Sequence, residues 1–274
     1  MHSPVPVTRQ RFLARLAPGA DLDMRGVPFT PDLLHRLLEA VRAPQNHNRP
    51  HLGQADFRMA SFSGNVRFFR ALFFGNANFV NASFSGNADF VDATFFKNAN
   101  FYNTSFSGDT DFVDTTFSKS ANFRNTSFSG NANFAGASFS QNANFDGVSF
   151  SKNANFVRAS FSENANFYNA SFSKKAIFDR ASFSENADFD RASFSKNTNF
   201  IRASFSKNAN FYNASFSENA EFIGVSFSKN ANFDKASFSG DATWARCRIE
   251  ALSLDDATVE GKVRVEASAS RVSA

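Results

Sequence analysis

The chain has 274 residues, with 29 Lys and Arg against 25 Asp and Glu, and a formal net charge of +4 at pH 7. Its single Cys excludes an intramolecular disulfide, and no apolar run approaches the ~20 residues of a membrane span. Arg9, Arg11 and Arg15 interrupt the apolar residues at the start of the chain, so no signal-peptide core is visible. We therefore predict a cytoplasmic protein.

Residues 1–54 form an N-terminal segment in which one amphipathic helix is predicted, over about 31–42. Thr30 suits the N-cap, Pro31 the first turn and Asp32 the positive end of the helix dipole. Ala43-Pro44 ends the pattern. The apolar residues that share one face and must be buried are Leu33, Leu34, Leu37, Leu38 and Val41.

From residue 57 onwards, Phe occurs at alternating spacings of five and six residues. One series starts at Phe57 and a second at Phe62. Each series recurs at every eleventh position for seventeen members, so 34 of the 39 Phe fall on the pattern. A period this strict predicts stacked, nearly identical units, each burying one Phe against its neighbours.

Two other interpretations of the pattern are disfavoured. In a helix, Phe residues five apart lie about 140° apart around the axis, so the two series could not share one apolar stripe. A disordered low-complexity segment needs no fixed phase, whereas the residue two before each Phe is small or β-branched, as at Ala55, Val66 and Thr110. Position-specific size indicates a packed interior. The pattern therefore predicts a β-solenoid in which Phe and this smaller residue both face inward.

The units read Ala77-Asn78-Phe79-Val80-Asn81 and Ala82-Ser83-Phe84-Ser85-Gly86. Over residues 55–261 this pattern resembles the pentapeptide-repeat family. The resemblance implies an all-β fold, a right-handed quadrilateral parallel β-helix (β-solenoid) with four sides per coil. Two five-residue and two six-residue units then give about 22 residues per coil, and stacking such coils gives about nine of them. Residues 262–274 are predicted to be a C-terminal tail.

Every second unit carries a sixth residue, usually Asn, as at Asn76 and Asn98. Because Asn and Gly tolerate left-handed backbone angles, we expect enlarged corners at sites such as Gly86-Asn87, with the Asn side chains stacked in ladders. Beyond Phe238 the spacing becomes a plain five. The residues predicted to close the C-terminal end are Trp244, Ile249, Leu254 and Val259.

Three Phe that lie off the pattern, Phe69, Phe74 and Phe96, are predicted to point outward on the first coils. We expect the N-terminal segment to cap or lean on these coils, with help from Phe12 and Phe29, and to hide the open strand edge. The sequence leaves open whether the helix covers the end or packs on a side.

A coil of this length aligns outward positions that are one full coil apart in the sequence. On one side, the position after Phe forms an apolar stripe, which is interrupted at Asp179, and a charged ladder runs beside it. The opposite side is polar and carries Tyr102, Tyr168 and Tyr212. The stripe is a candidate interaction surface, although β-branched residues also simply suit exposed strands, and the ladder could be ordinary solvated charge. The stripe consists of Val91, Val113, Val157, Ile201 and Ile223, and the ladder of Arg158, Arg180 and Arg202.

No residue pattern indicates catalysis, a cofactor or a metal site, and we predict a protein that is not an enzyme. The four His lie outside the repeat, and His47 and His51 are interpreted as loop residues. Cys247 occupies an inward position and is predicted to be an inert buried thiol. Ser recurs without a neighbouring base.

The leading functional hypothesis is a non-catalytic scaffold or protein-binding rod, with an unknown protein partner and a homodimer as one candidate. Family resemblance suggests an alternative, a DNA-mimic regulator of DNA gyrase or topoisomerase, but this role needs a strongly acidic rod. Residues 55–241 instead carry seventeen Lys and Arg against sixteen Asp and Glu. Nucleic-acid binding through the Arg and Tyr residues is a further alternative, disfavoured because they lie on opposite sides.

Overall fold

The computed structural model describes residues 13–266. These residues form a parallel β-solenoid with four walls, which we name A to D in the order in which a coil passes through them. The first full coil places Phe57 on wall A, Phe62 on wall B, Phe68 on wall C and Phe73 on wall D. Along the repeat each strand pairs in parallel with its equivalent one coil later, at the expected interval of twenty-two positions, so the predicted fold and coil length are confirmed.

Most strands contain only two residues, because each side of the coil is short. The strands of wall A are Ala20–Asp23, Ala77–Asn78, Ala99–Asn100, Ala121–Asn122, Ala143–Asn144, Ala165–Asn166, Ala187–Asp188 and Ala209–Asn210. Those of wall B are Pro28–Phe29, Ser61–Phe62, Ser83–Phe84, Ser105–Phe106, Ser127–Phe128, Ser149–Phe150, Ser171–Phe172, Ser193–Phe194, Ser215–Phe216, Ser237–Phe238 and Thr258–Val259.

The strands of wall C are Val66–Arg67, Ala88–Asp89, Thr110–Asp111, Ala132–Asn133, Ala154–Asn155, Ala176–Ile177, Thr198–Asn199, Ala220–Ile223, Ala242–Ala245 and Val263–Glu266. Those of wall D are Leu72–Phe73, Thr94–Phe95, Thr116–Phe117, Ser138–Phe139, Ser160–Phe161, Ser182–Phe183 and Ser204–Phe205. Three longer strands run through walls D and A, namely Arg49–Asp56, Ser226–Asn232 and Arg248–Ser253.

The interior of the solenoid is filled by the Phe side chains. All 34 Phe of the pattern are at most 1% exposed. Rings on the same wall stack along the axis, whereas rings of the opposite walls A and C meet edge to face. Phe156, for example, stacks on Phe178 with ring centroids 4.9 Å apart and meets Phe167 edge-on at 5.5 Å. Both arrangements are favourable for aromatic rings, so every coil supports its neighbours.

The residue two before each Phe fills the smaller inward position, as predicted. It is usually Ala, and the Thr that replace it need a hydrogen-bond acceptor, because a buried hydroxyl without one is destabilising. The Oγ1 of Thr115 donates to the carbonyl oxygen of Phe90 at 2.8 Å. Thr110 is the exception, since its buried Oγ1 has no hydrogen-bond partner among the described residues.

The corners after walls A and C turn through left-handed residues. In most coils Asn or Asp precedes the Phe here, and its side chain accepts a hydrogen bond from the amide two residues later, as from Val91 N to Asp89 Oδ1 at 3.0 Å. The next residue then has a positive φ, which is 56° at both Asp92 and Arg158.

The corners that carry the sixth residue differ from our expectation. Positive φ occurs in them only at Gly64 among the described residues, so the left-handed conformation expected at Gly86-Asn87 was wrong. The additional residue gives these corners enough length to turn at negative φ. The expected ladders are present, because Asn87 Oδ1 accepts from Asp109 N at 3.0 Å and Asp109 Oδ1 accepts from Asn131 N at 2.8 Å.

The N-terminal segment covers the start of the solenoid. Strand Ala20–Asp23 pairs with Arg49–Asp56, and Pro28–Phe29 pairs with Ser61–Phe62. The helix Pro31–Ala40 then packs beside Val66–Arg67, the first strand of wall C. The helix thus lies at the end of the solenoid.

The helix begins where the sequence predicted. Thr30 is its N-cap, and the Thr30 Oγ1 accepts a hydrogen bond from Leu33 N at 3.2 Å. The side chains of Leu34, Leu37 and Leu38 are buried in the same core as the Phe. After the helix, the short strand Arg42–Ala43 pairs antiparallel with Arg49 and Pro50, and the intervening residues Pro44–Asn46 form a 3-10 helix.

Of the off-pattern Phe, Phe69 lies near the helix, since it lines a cavity of about 280 Å³ together with His35 and Leu38. Phe69, Phe74 and Phe96 remain 38–42% exposed, and Phe74 stacks on Phe96 with centroids 4.9 Å apart. The helix instead buries its leucines at the open end of the aromatic core, where more apolar surface is available. Phe29 is buried there and stacks on Phe62 at 5.0 Å. Phe12 lies outside the described residues.

The C-terminal end is built differently. The last coil extends past the predicted boundary, because Val263–Glu266 adds a tenth strand to wall C. The residues expected to close this end do continue the inward positions, but Leu254 is 44% and Val259 is 36% exposed. Within residues 13–266 no helix covers this end.

Candidate interaction surface

The predicted apolar stripe lies on wall C, at the corner that leads to wall D. The in-register pairing of the strands aligns its members one per coil, and the carbonyl oxygen of each accepts a hydrogen bond from the preceding coil. The distance from Arg180 N to Ile201 O is 2.8 Å, for example. Val91, Val113, Val157, Ile201 and Ile223 are all half-buried. They form a ladder along the wall, in which Asp179 is the polar interruption.

The predicted Arg ladder lies directly beside the stripe. Arg158, Arg180 and Arg202 occupy the left-handed corner position, each with a φ of 56°. Their backbone is fixed by the coil, while their side chains are exposed. None of the three guanidinium groups makes a hydrogen bond or an ion pair with another residue of the described range. These cations are therefore available to a partner.

The same corner column begins with Arg70 and then becomes acidic, because Asp92 and Asp114 occupy the positions that Arg fills in later coils. On the same two coils, Asp89, Asp109 and Asp111 line a shallow depression of about 380 Å³. Burial raises the pKa of Asp111, and the negative charges of Asp89 and Asp114 add to the shift. We did not identify Asp92 and Asp114 from the sequence, although aligning the position two after Phe from coil to coil would have revealed them.

A second charged column lies at the corner between walls B and C. Its first four members are Gly, from Gly64 to Gly130, and the next three are Lys152, Lys174 and Lys196. Lys196 pairs with Glu218 of the following coil. Glu163 and Glu185 stand on another corner, between walls D and A. Wall C thus changes from acidic over residues 89–114 to basic over residues 152–202.

Wall A, on the opposite side, uses its charged side chains within the rod. Arg124 pairs with Asp146 at 3.0 Å. The Arg191 Nη1 donates to the Tyr168 hydroxyl at 2.8 Å, with its guanidinium over the ring, and Lys235 Nζ lies 5.3 Å from the ring centre of Tyr212. The charged groups of wall A are therefore mostly neutralised locally, whereas on wall C over residues 64–224 the ion pairs are limited to Arg67 with Asp89 and Lys196 with Glu218.

The geometry of the repeat agrees with a comparison of the sequence with known families. The family described as pentapeptide repeats (9 copies) matches residues 90–138, 101–149, 134–182, 178–226 and 222–268. The chain belongs to the pentapeptide-repeat family. Its wall C and wall A surfaces are therefore the outer faces of a pentapeptide-repeat solenoid.

One solved structure with similarity to this pentapeptide-repeat chain is HetL, a pentapeptide repeat protein involved in heterocyst differentiation regulation from the cyanobacterium Nostoc sp. strain PCC 7120. The similarity covers 94% of this chain and 95% of HetL, at 10% sequence identity and a TM-score of 0.22. At these values it carries no argument about function. A search of curated proteins found no match.

Other reactive side chains of this pentapeptide-repeat protein are dispersed. His51 lies in strand Arg49–Asp56 rather than in the expected loop, with its ring 5.0 Å from that of Phe74. Burial raises the pKa of the half-buried Cys247 thiol, whose Sγ lies 2.6 Å from the Phe222 carbonyl oxygen. In the described range, no His, Cys, Asp and Glu side chains are grouped to hold a metal ion. No helix between residues 13 and 266 is long and apolar enough to span a bilayer.

Proposed function

We propose that this protein is a non-catalytic, protein-binding rod whose contact surface is wall C. The observation that carries the proposal is the contrast between the two opposite walls. Wall A pairs its charges internally, whereas wall C presents Arg158, Arg180 and Arg202, which pair with no other described residue, beside a half-buried apolar ladder. Apolar surface flanked by unsatisfied charge is typical of a protein interface, because the apolar part gives affinity and the charges give specificity.

The alternative hypotheses gain less support. A DNA mimic needs a continuous acidic surface, but wall C reverses its sign half-way along. Single-stranded nucleic acid needs exposed aromatic faces, yet Tyr168 and Tyr212 already have a cation over their rings.

The proposal is tested by affinity capture from cells that express the protein. We expect the wild-type rod to retain a protein partner and the double variant Val157→Glu, Ile201→Glu to lose it, since two buried contacts would become unpaired charges. The matched control carries Val80→Glu and Tyr212→Glu on wall A and should retain the partner. Equal retention by both double variants, or no retention by the wild type, would count against wall C as the contact surface.

A further inference from the structure

The net charge of wall C differs from coil to coil. Coils that lie equally far from the two ends of the wall mostly carry charges of opposite sign. We number the coils from the one that contains Val66–Arg67 on wall C, which is coil 1, to the one that contains Ala220–Ile223, which is coil 8. From the corner with wall B to the corner with wall D, the net charges of coils 1 to 8 are +2, −2, −3, 0, +2, +2, +2 and −2. Read from the two ends inward, coil 1 is opposite in sign to coil 8, coil 2 to coil 7, and coil 3 to coil 6.

We infer that wall C binds a second copy of this chain, in an antiparallel dimer whose two-fold axis passes between coils 4 and 5. The inference rests on the proposed function, because it takes wall C as the contact surface and names the partner. In this arrangement coil 1 faces coil 8 of the second copy, coil 2 faces coil 7, coil 3 faces coil 6 and coil 4 faces coil 5. An isologous interface of this kind must be self-complementary, and the charge order meets that condition.

The match extends to individual columns. A two-fold axis that lies across the rods keeps each column opposite the same column of the second copy. At the left-handed corner, Asp114 then faces Arg180 and Asp92 faces Arg202. In the column of the sixth residue, Asp109 faces Lys175. Side chains that form no ion pair within residues 13–266 of one copy, such as Asp114 and Arg180, would thus acquire a partner of opposite charge.

The stripe is compatible with the same arrangement. Across the interface Val91 would face Ile201, and Ala135 would face Val157. Phe69, which is 40% exposed, would face Ile223 of the second copy. The exception is Val113, which would face Asp179. The corner with wall B also accommodates the pairing, because the Gly of coils 2 to 4 stand opposite the three Lys of coils 5 to 7 and leave room for them.

The parallel arrangement of two rods is disfavoured by the same charges. A two-fold axis along the rods would place each coil against the same coil of the second copy. Coil 3, at −3, would then meet coil 3, and coils 5 to 7 would meet their own positive charges. Like charges across an interface oppose association, so the antiparallel order is the one that wall C supports.

The size of the surface predicts a modest, salt-sensitive dimer. Eight coils at about 4.8 Å per layer span about 35 Å, and one wall is about 15 Å wide if five residues extend at about 3.3 Å each. Two such faces would bury roughly 1,000 Å², at the low end for specific interfaces. Because exposed ion pairs weaken as salt screens them, the dissociation constant should rise about tenfold or more between 50 and 500 mM NaCl.

Sedimentation equilibrium on the full chain tests the inference. We expect the wild type to form dimers at low salt and Asp114→Arg or Arg180→Asp to weaken dimerisation at least tenfold, because each places like charges opposite one another. An equimolar mixture of the two variants should form heterodimers, and a chain that carries both substitutions should dimerise again. Either residue type already occurs in this column at positive φ, and recovery in the mixture would also show that the variants fold. The control Lys119→Asp, at the corner between walls D and A, should behave as wild type.

Three results would overturn the inference: a wild type that is monomeric at 100 µM and low salt, a dimer that neither substitution weakens, or a mixture that stays monomeric. These results are distinct from failure of the proposed function. A monomeric wild type that still loses a captured partner through Val157→Glu, Ile201→Glu would keep wall C as a binding surface and exclude only the second copy as its occupant.

Discussion

The two ends of the rod differ in how their terminal layer is shielded from solvent. At the N-terminal end, the helix Pro31–Ala40 buries Leu34, Leu37 and Leu38 against the last aromatic layer. At the C-terminal end, Leu254 is 44% and Val265 is 72% exposed. Each layer of a solenoid is buried only by its neighbouring layers. A terminal layer therefore needs a dedicated cover, or it remains partly exposed to solvent. The comparison indicates that stability is concentrated in the capped and central coils.

The largest effect should come from making the capped end resemble the open one. Deleting residues 1–50 removes the helix and exposes unpaired strand edges together with buried Phe, so we expect aggregation. Deleting residues 242–274 only moves the open end inward by about one coil, and this control should stay soluble. Size-exclusion chromatography with light scattering measures both, and a soluble, monodisperse N-terminal deletion would contradict the role of the cap.

The next effect concerns the centre of the rod against its open end. Phe156 is fully buried between stacked rings, and Phe156→Ala should lower the free energy of unfolding by about 3–5 kcal/mol. Val259→Ala, at a position that is 36% exposed, should cost less than about 1 kcal/mol. Chemical denaturation measures both values. Equal losses would mean that the last coil is as well packed as the centre.

The two ends can also be compared through Leu side chains of the same size. Leu37 is 1% exposed in the capping helix, so Leu37→Ala should cost about 2–4 kcal/mol. Leu254→Ala at the open end should cost less than about 1 kcal/mol. Thermal unfolding of the pair provides the measurement, and a larger loss at Leu254 would reverse the proposed difference between the ends.

The smallest effect depends on pH and contrasts wall C with the open end. The pKa of Asp111 is raised in the folded state, chiefly by burial, so its ionised form is disfavoured by folding and costs stability at pH 7. Asp111→Asn should therefore raise the melting temperature at pH 7, and the gain should shrink as the pH falls and Asp111 takes up a proton. Asn suits this position, since the Asn133 Oδ1 accepts the same turn hydrogen bond from Ala135 N at 3.2 Å.

The control for this prediction is Asp255→Asn, because Asp255 is an exposed residue of the last coil. It should leave the melting temperature close to that of the wild type. If Asp111→Asn raises the melting temperature equally at pH 3 and pH 7, the increase does not come from removal of a buried charge.

The core could be predicted from the sequence because each Phe position is repeated in every coil, and the period alone requires the rings to stack. The corners could not be predicted in the same way. Both Asn87 and Asp92 belong to residue types that tolerate positive φ, and only the hydrogen bond from Val91 N to Asp89 shows which corner turns tightly. The cap was predicted as a helix, but its packing site depends on a free end that the sequence pattern does not describe.

The interaction surface shows the same division. The stripe from Val91 to Ile223 followed from the coil length alone, because its members repeat in every coil. The acidic part of wall C did not follow from the coil length. Asp92 and Asp114 become notable only when they are compared with Arg180 and Arg202 in the same column. Whether a charge is paired also depends on side-chain geometry, as Arg191 and Tyr168 show on wall A.

The central claim is that wall C, aligned by the constant coil length, binds a second copy of this chain in antiparallel order. Chemical cross-linking tests it most directly, with Asp114→Cys in one sample and Arg180→Cys in another, both carrying Cys247→Ala. A short bismaleimide should yield a covalent dimer when the two samples are mixed at low salt, because residue 114 of one copy faces residue 180 of the other. Either sample alone should yield little, because residue 114 of one copy lies three coils away from residue 114 of the other, and the same holds for residue 180. Absence of a cross-link in the mixture, or equal yields in the mixture and in either sample alone, would contradict the claim.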